Sequence, residues 1–339
     1  MVGAIALVAC GSSKETASTD NDTTTDFAAK YAKTITAKDL GKHLFIYASD
    51  EFEGRNTGEP GQKKAVKYLK DFYVSQGIAS PLGGDDYYQE VPSEYLSNNR
   101  RGIILKDSEN VLAYIKGTEK PNEIIVISAH LDHEGIKDGE IYNGADDDGS
   151  GTVAILEIAE AFKQAADAGK GPKRSILFLH VTGEEKGLLG SKYYTENPIF
   201  PLANTVSNLN IDMIGRVDDR HKGNPNYVYL IGSDKLSTEL HNISEAMNKK
   251  YTNIDLDYKY NDDNDPNRFY YRSDHYNFAK HNIPIIFYFN GTHADYHRPT
   301  DTPDKINYEM LENRARLVFH TAWEVANREN RVVVDKAAN

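Results

Sequence analysis

Residues Ile124 to His133 read Ile-Ile-Val-Ile-Ser-Ala-His-Leu-Asp-His. The first four are apolar and β-branched, the composition of a short buried strand. The last four place two imidazoles and a carboxylate just beyond it. The same pairing recurs along the chain. Ile176 to Val181 is a continuous, mainly apolar run, as expected of a strand covered on both faces, and Thr182-Gly183-Glu184-Glu185 follows it. Val206 to Ile211 runs into Asp212, and Pro284 to Phe289 precedes His293-Ala294-Asp295-Tyr296-His297. Val111 to Ile115 and Tyr227 to Ile231 read as further strands.

Between these runs the apolar period changes to that of a helix. Ala65, Val66, Leu69, Phe72 and Tyr73 stripe Gly61 to Gln76, with Gly77 as the stop. Ile155, Leu156, Ala159 and Phe162 stripe Thr152 to Phe162. Leu236, Leu240, Ile243 and Met247 mark another helix, and Leu311, Ala315, Val318, Ala322 and Val325 a C-terminal one. Strands alternating with helices predict an α/β fold: a mixed, mostly parallel central sheet sandwiched by helices, in a single domain. Leu82 to Asn110 is too short for an inserted lid domain. In such sheets ligands bind beyond the carboxyl ends of the strands, which is where the His, Asp and Glu residues fall.

Composition narrows the chemistry. The chain has 339 residues, 39 basic and 51 acidic, for a net charge of −12. That balance argues against a nucleic-acid partner, which would require a basic face. There is one cysteine, Cys10, so no intrachain disulfide and no thiolate zinc finger form. No apolar run is long enough to span a membrane. A metal site must use His, Asp and Glu, a donor set that suits zinc, and also manganese or cobalt. Carboxylates crowded at one sheet edge repel one another unless a cation intervenes. There are too many of them for one tetrahedral zinc, and they suit two metals sharing a bridging carboxylate, the arrangement of a hydrolase.

The motifs resemble those of the M28 family of zinc peptidases, the group of the bacterial leucyl aminopeptidases. The matching pieces, in the family's order, are His130-Leu131-Asp132, Gly144 to Gly151, Gly183 to Ser191, Asn210 to Gly215, Ser273-Asp274-His275 and Tyr296-His297. The resemblance covers roughly Asp39 to Asn327. It implies two zinc ions bridged by Asp147, with Glu185 and His297 completing one site and His130 and Asp212 the other. It implies Glu184 as the general base, Asp132 as an acceptor that orients the His130 imidazole, and Tyr296 as a donor to the tetrahedral oxyanion. It also implies a cis peptide at Asp147–Asp148. The expected activity is removal of N-terminal residues from peptides or proteins, since a free ammonium suits an acidic site. The rivals are a one-zinc acyltransferase of the glutaminyl cyclase type and a non-catalytic binding lipoprotein on the same fold.

Several other features read as structural. His133, His275, His293 and Asp274 crowd the site but stand outside the five implied ligand positions. Asp148 and Ser150 suit helix capping. Gly149 to Ala154 matches a dinucleotide fingerprint, but no strand precedes it and three aspartates would repel a pyrophosphate. The acidic loop Asn261 to Asp265 lacks EF-hand spacing. At the N-terminus, Leu7-Val8-Ala9-Cys10-Gly11 resembles a bacterial lipobox with Cys10 as the lipidated residue, although no basic residue precedes the apolar run. The organisation expected is a signal segment over 1–10, a flexible tether over 11–30 rich in Ser, Thr and Asp, and a peptidase domain over 31–330. The protein would then sit in the cell envelope, lipid-anchored on the periplasmic or surface side, touching the membrane only through that anchor.

Overall fold

The computed structural model describes residues 1–3, 25–97 and 102–336. Cys10 and most of the expected tether lie outside them. Helices α1 (Phe27–Ala32), α2 (Ala37–Tyr47) and α3 (Pro60–Ser75) lead to β1 (Tyr88–Val91), the short α4 (Ser93–Leu96) and β2 (Ser108–Ile115). Then follow β3 (Lys120–His130), a hairpin of β4 (Gly135–Lys137) and β5 (Glu140–Tyr142), α5 (Gly151–Asp167), β6 (Arg174–Val181) and α6 (Leu189–Glu196). The chain continues through β7 (Thr205–Ile211), β8 (Tyr227–Ile231), α7 (Thr238–Met247), β9 (Asp255–Asp257), α8 (His275–Ala279), β10 (Ile285–Phe289) and α9 (Tyr308–Asn327). Residues 27–30, read from sequence as the end of the tether, form most of α1 and bury Ala28.

The central sheet runs β1-β2-β6-β3-β7-β10-β8-β9. Its middle four strands, β6, β3, β7 and β10, are parallel to one another, while β2 and β8 flank them antiparallel. This is the mixed, mostly parallel sheet expected. Side chains alternate across it with period two. Ile125, Ile127 and Ala129 pack with Ile176 and Phe178 against α2, α3, α5 and α9. Ile124 and Val126 pack with Leu177, Leu179 and Val181 on the opposite face, against Tyr194 of α6 and Phe278 of α8. Burial on both faces explains why these strands show no polar alternation in sequence. The helix over 60–75 starts with Pro60 at its first turn, where a missing N–H costs nothing, and ends before Gly77, whose φ of 64° suits glycine. Helices α1, α2, α4, α6 and α8 and strands β1, β4, β5 and β9 were not foreseen. Among the described residues no helix is long and apolar enough to cross a membrane.

One buried acid sits in this core away from the sheet edge. Glu157 of α5 is 3% exposed and lies 3.5 Å from His43 of α2, with its Oε1 lacking a hydrogen-bond partner. Burial first, then repulsion from Glu160 and Asp39, pushes its pKa up to about 8, whereas burial lowers that of His43. The folded state therefore keeps a proton that the unfolded chain releases above its ordinary 4.5. The stability this proton carries is lost as pH rises from roughly 5 to about 8. Glu157→Gln is expected to unfold at the same temperature as wild type near pH 4 and several degrees higher at pH 9, as measured by thermal melts across that range.

Candidate metal centre at the sheet edge

The parallel strands end on one side, and the loops that follow them carry the predicted site. Asp147 lies in the turn between β5 and α5. Buried Arg55 fixes the start of that turn, donating to the carbonyls of Asn143 (2.7 Å), Gly144 (2.8 Å), Leu131 (3.1 Å) and Tyr47 (3.2 Å). Gly144 has φ 54°, and a Cβ there would lie 2.2 Å from the Asp147 carbonyl oxygen, so the turn closes only with glycine. The outer two of three consecutive aspartates are engaged elsewhere. Asp146 accepts from the Gly215 N–H (2.7 Å) and faces His293 Nε2 at 3.0 Å. Asp148 accepts from the N–H groups of Gly151 (2.9 Å), Met213 (3.0 Å) and His130 (3.2 Å). Only Asp147 presents its carboxylate to the cluster. The Asp147–Asp148 peptide is cis, as the resemblance implied.

All five expected ligands converge. His130 Nε2 lies 3.1 Å from Asp147 Oδ1 and 3.6 Å from Asp212 Oδ1. His297 Nε2 lies 3.0 Å from Asp147 Oδ2 and 3.3 Å from Glu185 Oε2. Asp147 thus faces one pair with each of its oxygens, the geometry of a bridging carboxylate. A polar ladder aims Asp212: Asn208 donates to Ser128 (2.8 Å), Ser128 to Asn210 (2.7 Å), Asn210 to Ser273 (2.9 Å) and Ser273 to Asp212 Oδ2 (2.6 Å).

The buried atoms fit a divalent metal. His130 Nε2 and Glu185 Oε1 are buried without a hydrogen-bond partner, an arrangement that normally costs free energy. His133, Asp147 and Glu185 each offer an atom within 4.8 Å of the others, as do Glu134, Glu185 and His297. His130, Asp148 and Asp212 form a third such group, but both oxygens of Asp148 are already taken by backbone donors. Burial disfavours charge throughout, yet the carboxylates outweigh it at His130, whose pKa is raised well above its ordinary value. His297 is likewise pushed up, to about 10, by Asp147 and Glu185 against the effect of burial. The site is organised to bind positive charge.

Asp132 accepts from the His130 ring as expected, through its backbone carbonyl rather than its carboxylate. His130 Nδ1 meets the Asp132 backbone carbonyl at 3.0 Å, while the carboxylate stands 3.9 Å away. That carboxylate instead accepts from Thr57 Oγ1 (2.8 Å) and the Glu184 N–H (3.1 Å), so it holds the loop of the expected base. Glu184 lines a pocket of about 30 Å³ together with Asp147, Asp212, Met213, Phe269, Arg272, Phe287, Phe289, Tyr296 and His297. Burial, then repulsion from Glu185, Asp212 and Asp274, pushes the Glu184 pKa well up despite His130. Tyr296 stacks on His297 with ring centres 3.9 Å apart. His275 is structural, bonded to the Tyr270 carbonyl (2.8 Å) and stacked on Phe287. Asp274 is buried and accepts from Ser191.

A model of Peptidase family M28 matches residues 110–322, well over half of the chain and every expected ligand. The chain belongs to peptidase family M28. Leupeptin-inactivating enzyme 1 of Streptomyces exfoliatus is 28% identical over 303 residues, covering 83% of this chain and 59% of that protein. This M28 chain therefore spans about three-fifths of that relative's length. The LapA aminopeptidase of Legionella pneumophila superposes with a TM-score of 0.67 at 22% identity, covering 89% of this chain and 75% of that one. An aminopeptidase from Aneurinibacillus sp. strain AM-1 gives a TM-score of 0.66 at 17% identity, covering 91% and 98%. These likenesses carry the fold, a zinc-exopeptidase type of α/β sheet.

Sequence reasoning missed Arg55, Thr57 and Asp301, and it gave Ser273 no role beyond its place in a family motif. Asp301 Oδ2 accepts from the N–H groups of Asp146 (3.0 Å) and Asp147 (3.2 Å). Each acts on a residue far away in sequence, so no local pattern marks it. Arg55→Met would remove the guanidinium from four carbonyls, of which Leu131 keeps the Tyr47 hydroxyl (3.0 Å) and Gly144 keeps the Gly149 N–H (3.2 Å). It is expected to cost roughly 3 kcal/mol or more, read as a lower denaturant midpoint.

Proposed function

We propose that this chain is a zinc-dependent aminopeptidase with two metals, Asp147 bridging them, Glu185 and His297 on one and His130 and Asp212 on the other. The observation that carries the reading is the pocket itself. Asp147, Asp212 and Glu184 line it together with the apolar Met213, Phe269, Phe287 and Phe289. Its volume, about 30 Å³, is room for roughly two waters. A pocket this small suits the terminal residue of a substrate. Carboxylates around that end favour an ammonium over a carboxylate. The names of the relatives, aminopeptidases among them, agree with this.

What the zinc ions supply when bound is a water acidic enough to ionise near neutrality and a positive field at the scissile carbonyl; manganese or cobalt would substitute. Glu184, its loop held through Asp132, takes the proton of the attacking water and delivers it to the leaving amine. Tyr296, fixed against His297, donates its hydroxyl hydrogen bond to the developing oxyanion.

A second reading has one observation behind it. Arg272 stands at the rim of the pocket, stacked over Phe269 at 4.8 Å, with no carboxylate within salt-bridge distance among the described residues. A cation there would suit a substrate carboxylate, as in a carboxypeptidase or dipeptidase. Matched peptides, free or acetylated at the N-terminus and free or amidated at the C-terminus, separate the two. Stepwise loss of N-terminal residues from the unacetylated peptides alone is expected by mass spectrometry, with Glu184→Gln retaining zinc and losing about 100-fold or more in rate. Trimming that requires the free C-terminus instead would replace the aminopeptidase reading, and near-normal turnover by Glu184→Gln would remove Glu184 as the base.

For the N-terminal segment we propose lipidation at Cys10 and a place in the cell envelope, on the lipobox-like sequence alone. Labelling with a fatty-acid probe is expected in the wild type and absent in Cys10→Ala.

A further inference from the structure

Asp132, His133 and Glu134, just beyond the end of β3, divide between the two halves of the site. The Asp132 carbonyl meets His130 Nδ1 at 3.0 Å. Fully buried His133 places Nδ1 2.8 Å from Glu185 Oε1. Glu134 places Oε1 3.7 Å from His297 Nδ1, and its other oxygen is held by Lys137 and by Lys186 at 3.7 Å.

His297 is the ligand in most need of support. Its side chain is 34% exposed, whereas those of His130, Asp147, Glu185 and Asp212 are 1%, 5%, 5% and 10% exposed. It sits on a loop, with a φ of 53° that is uncommon outside glycine. A ligating histidine generally donates its second ring N–H to an oxygen, which fixes both ring orientation and tautomer. His130 has the Asp132 carbonyl for this. The nearest charged oxygen to His297 Nδ1 is that of Glu134, about half an ångström beyond hydrogen-bond reach.

We propose that Glu134 is a positioning residue for His297. It accepts the Nδ1 proton and so turns Nε2 toward the metal shared with Asp147 and Glu185, while Lys137 and Lys186 steer the carboxylate. The inference rests on the two-metal reading above only in assigning which zinc is affected.

Zinc competition against a chromophoric chelator tests it. Glu134→Ala is expected to weaken one of two bound zincs by about 10- to 100-fold and leave the other unchanged. Glu134→Gln keeps an oxygen facing Nδ1 but loses both lysine pairings, and is expected to stay within a few-fold of wild type. If Glu134→Gln binds zinc as poorly as Glu134→Ala, charge pairing with the lysines is what matters and the proposal fails. It also fails if Glu134→Ala binds both zincs normally or loses both equally. If Glu134→Ala does not fold, 15N–1H NMR of the zinc-loaded wild type decides: Nδ1–H on His297 supports the proposal and Nε2–H overturns it. A wild type that takes up one zinc refutes the two-metal reading by itself, and the Glu134 comparison is then read on that single ion.

Discussion

Four carboxylates, those of Asp147, Glu184, Glu185 and Asp212, are gathered where the parallel strands end, with the side chains of Asp147, Glu185 and Asp212 only 5%, 5% and 10% exposed. Buried charges without partners cost several kcal/mol each, and like charges so close raise one another's pKa. The rest of the arrangement follows from managing that. His130 faces Asp147 Oδ1 and Asp212 Oδ1 while His297 faces Asp147 Oδ2 and Glu185 Oε2; burial and Asp147, which push Glu185 up, are outweighed by His133 and His297, which hold it at about 2. In a protein without metals, protons on the histidines would have to do this work. Divalent ions do it better, because they bring charge without needing a hydrogen-bond geometry, and they displace those protons on binding.

The sheet supplies the positions. β3, β6 and β7 lie side by side, so His130, Glu184-Glu185 and Asp212 leave adjacent strands at one level. The remaining two groups come from loops and need scaffolding. Asp147 has it in Arg55, Asp301 and the backbone-bonded Asp146 and Asp148. His297 has less, and is the most exposed of the five. His297 is thus the least enclosed ligand, beside Tyr296 and Arg272, which also line the pocket.

Much of this was legible in the sequence, for a physical reason. Strands buried on both faces are written as apolar runs, and a His, Asp or Glu directly after such a run has few structural uses. Hence His130, Glu184, Glu185 and Asp212 could be placed from the chain alone, and the full motif order identified the family resemblance that assigned Asp147 and His297. What could not be read depends on contacts between distant segments. Arg55 reaches residues 8 to 89 positions away, and Asp301 reaches back past 150. Which part of Asp132 accepts from His130 was not legible, because sequence spacing places a residue near the ring but does not say whether its backbone or its carboxylate turns toward it. The short helices α1, α6 and α8 carry too few apolar positions to show a period.

The central claim is that Asp147 lies between two metals. The most direct measurement is X-ray diffraction from crystals of the zinc-loaded protein at the zinc absorption edge. Two anomalous peaks are predicted, one beside His130 and Asp212 and one beside Glu185 and His297, with an Asp147 oxygen on each. A single peak, or peaks away from Asp147, would contradict the account.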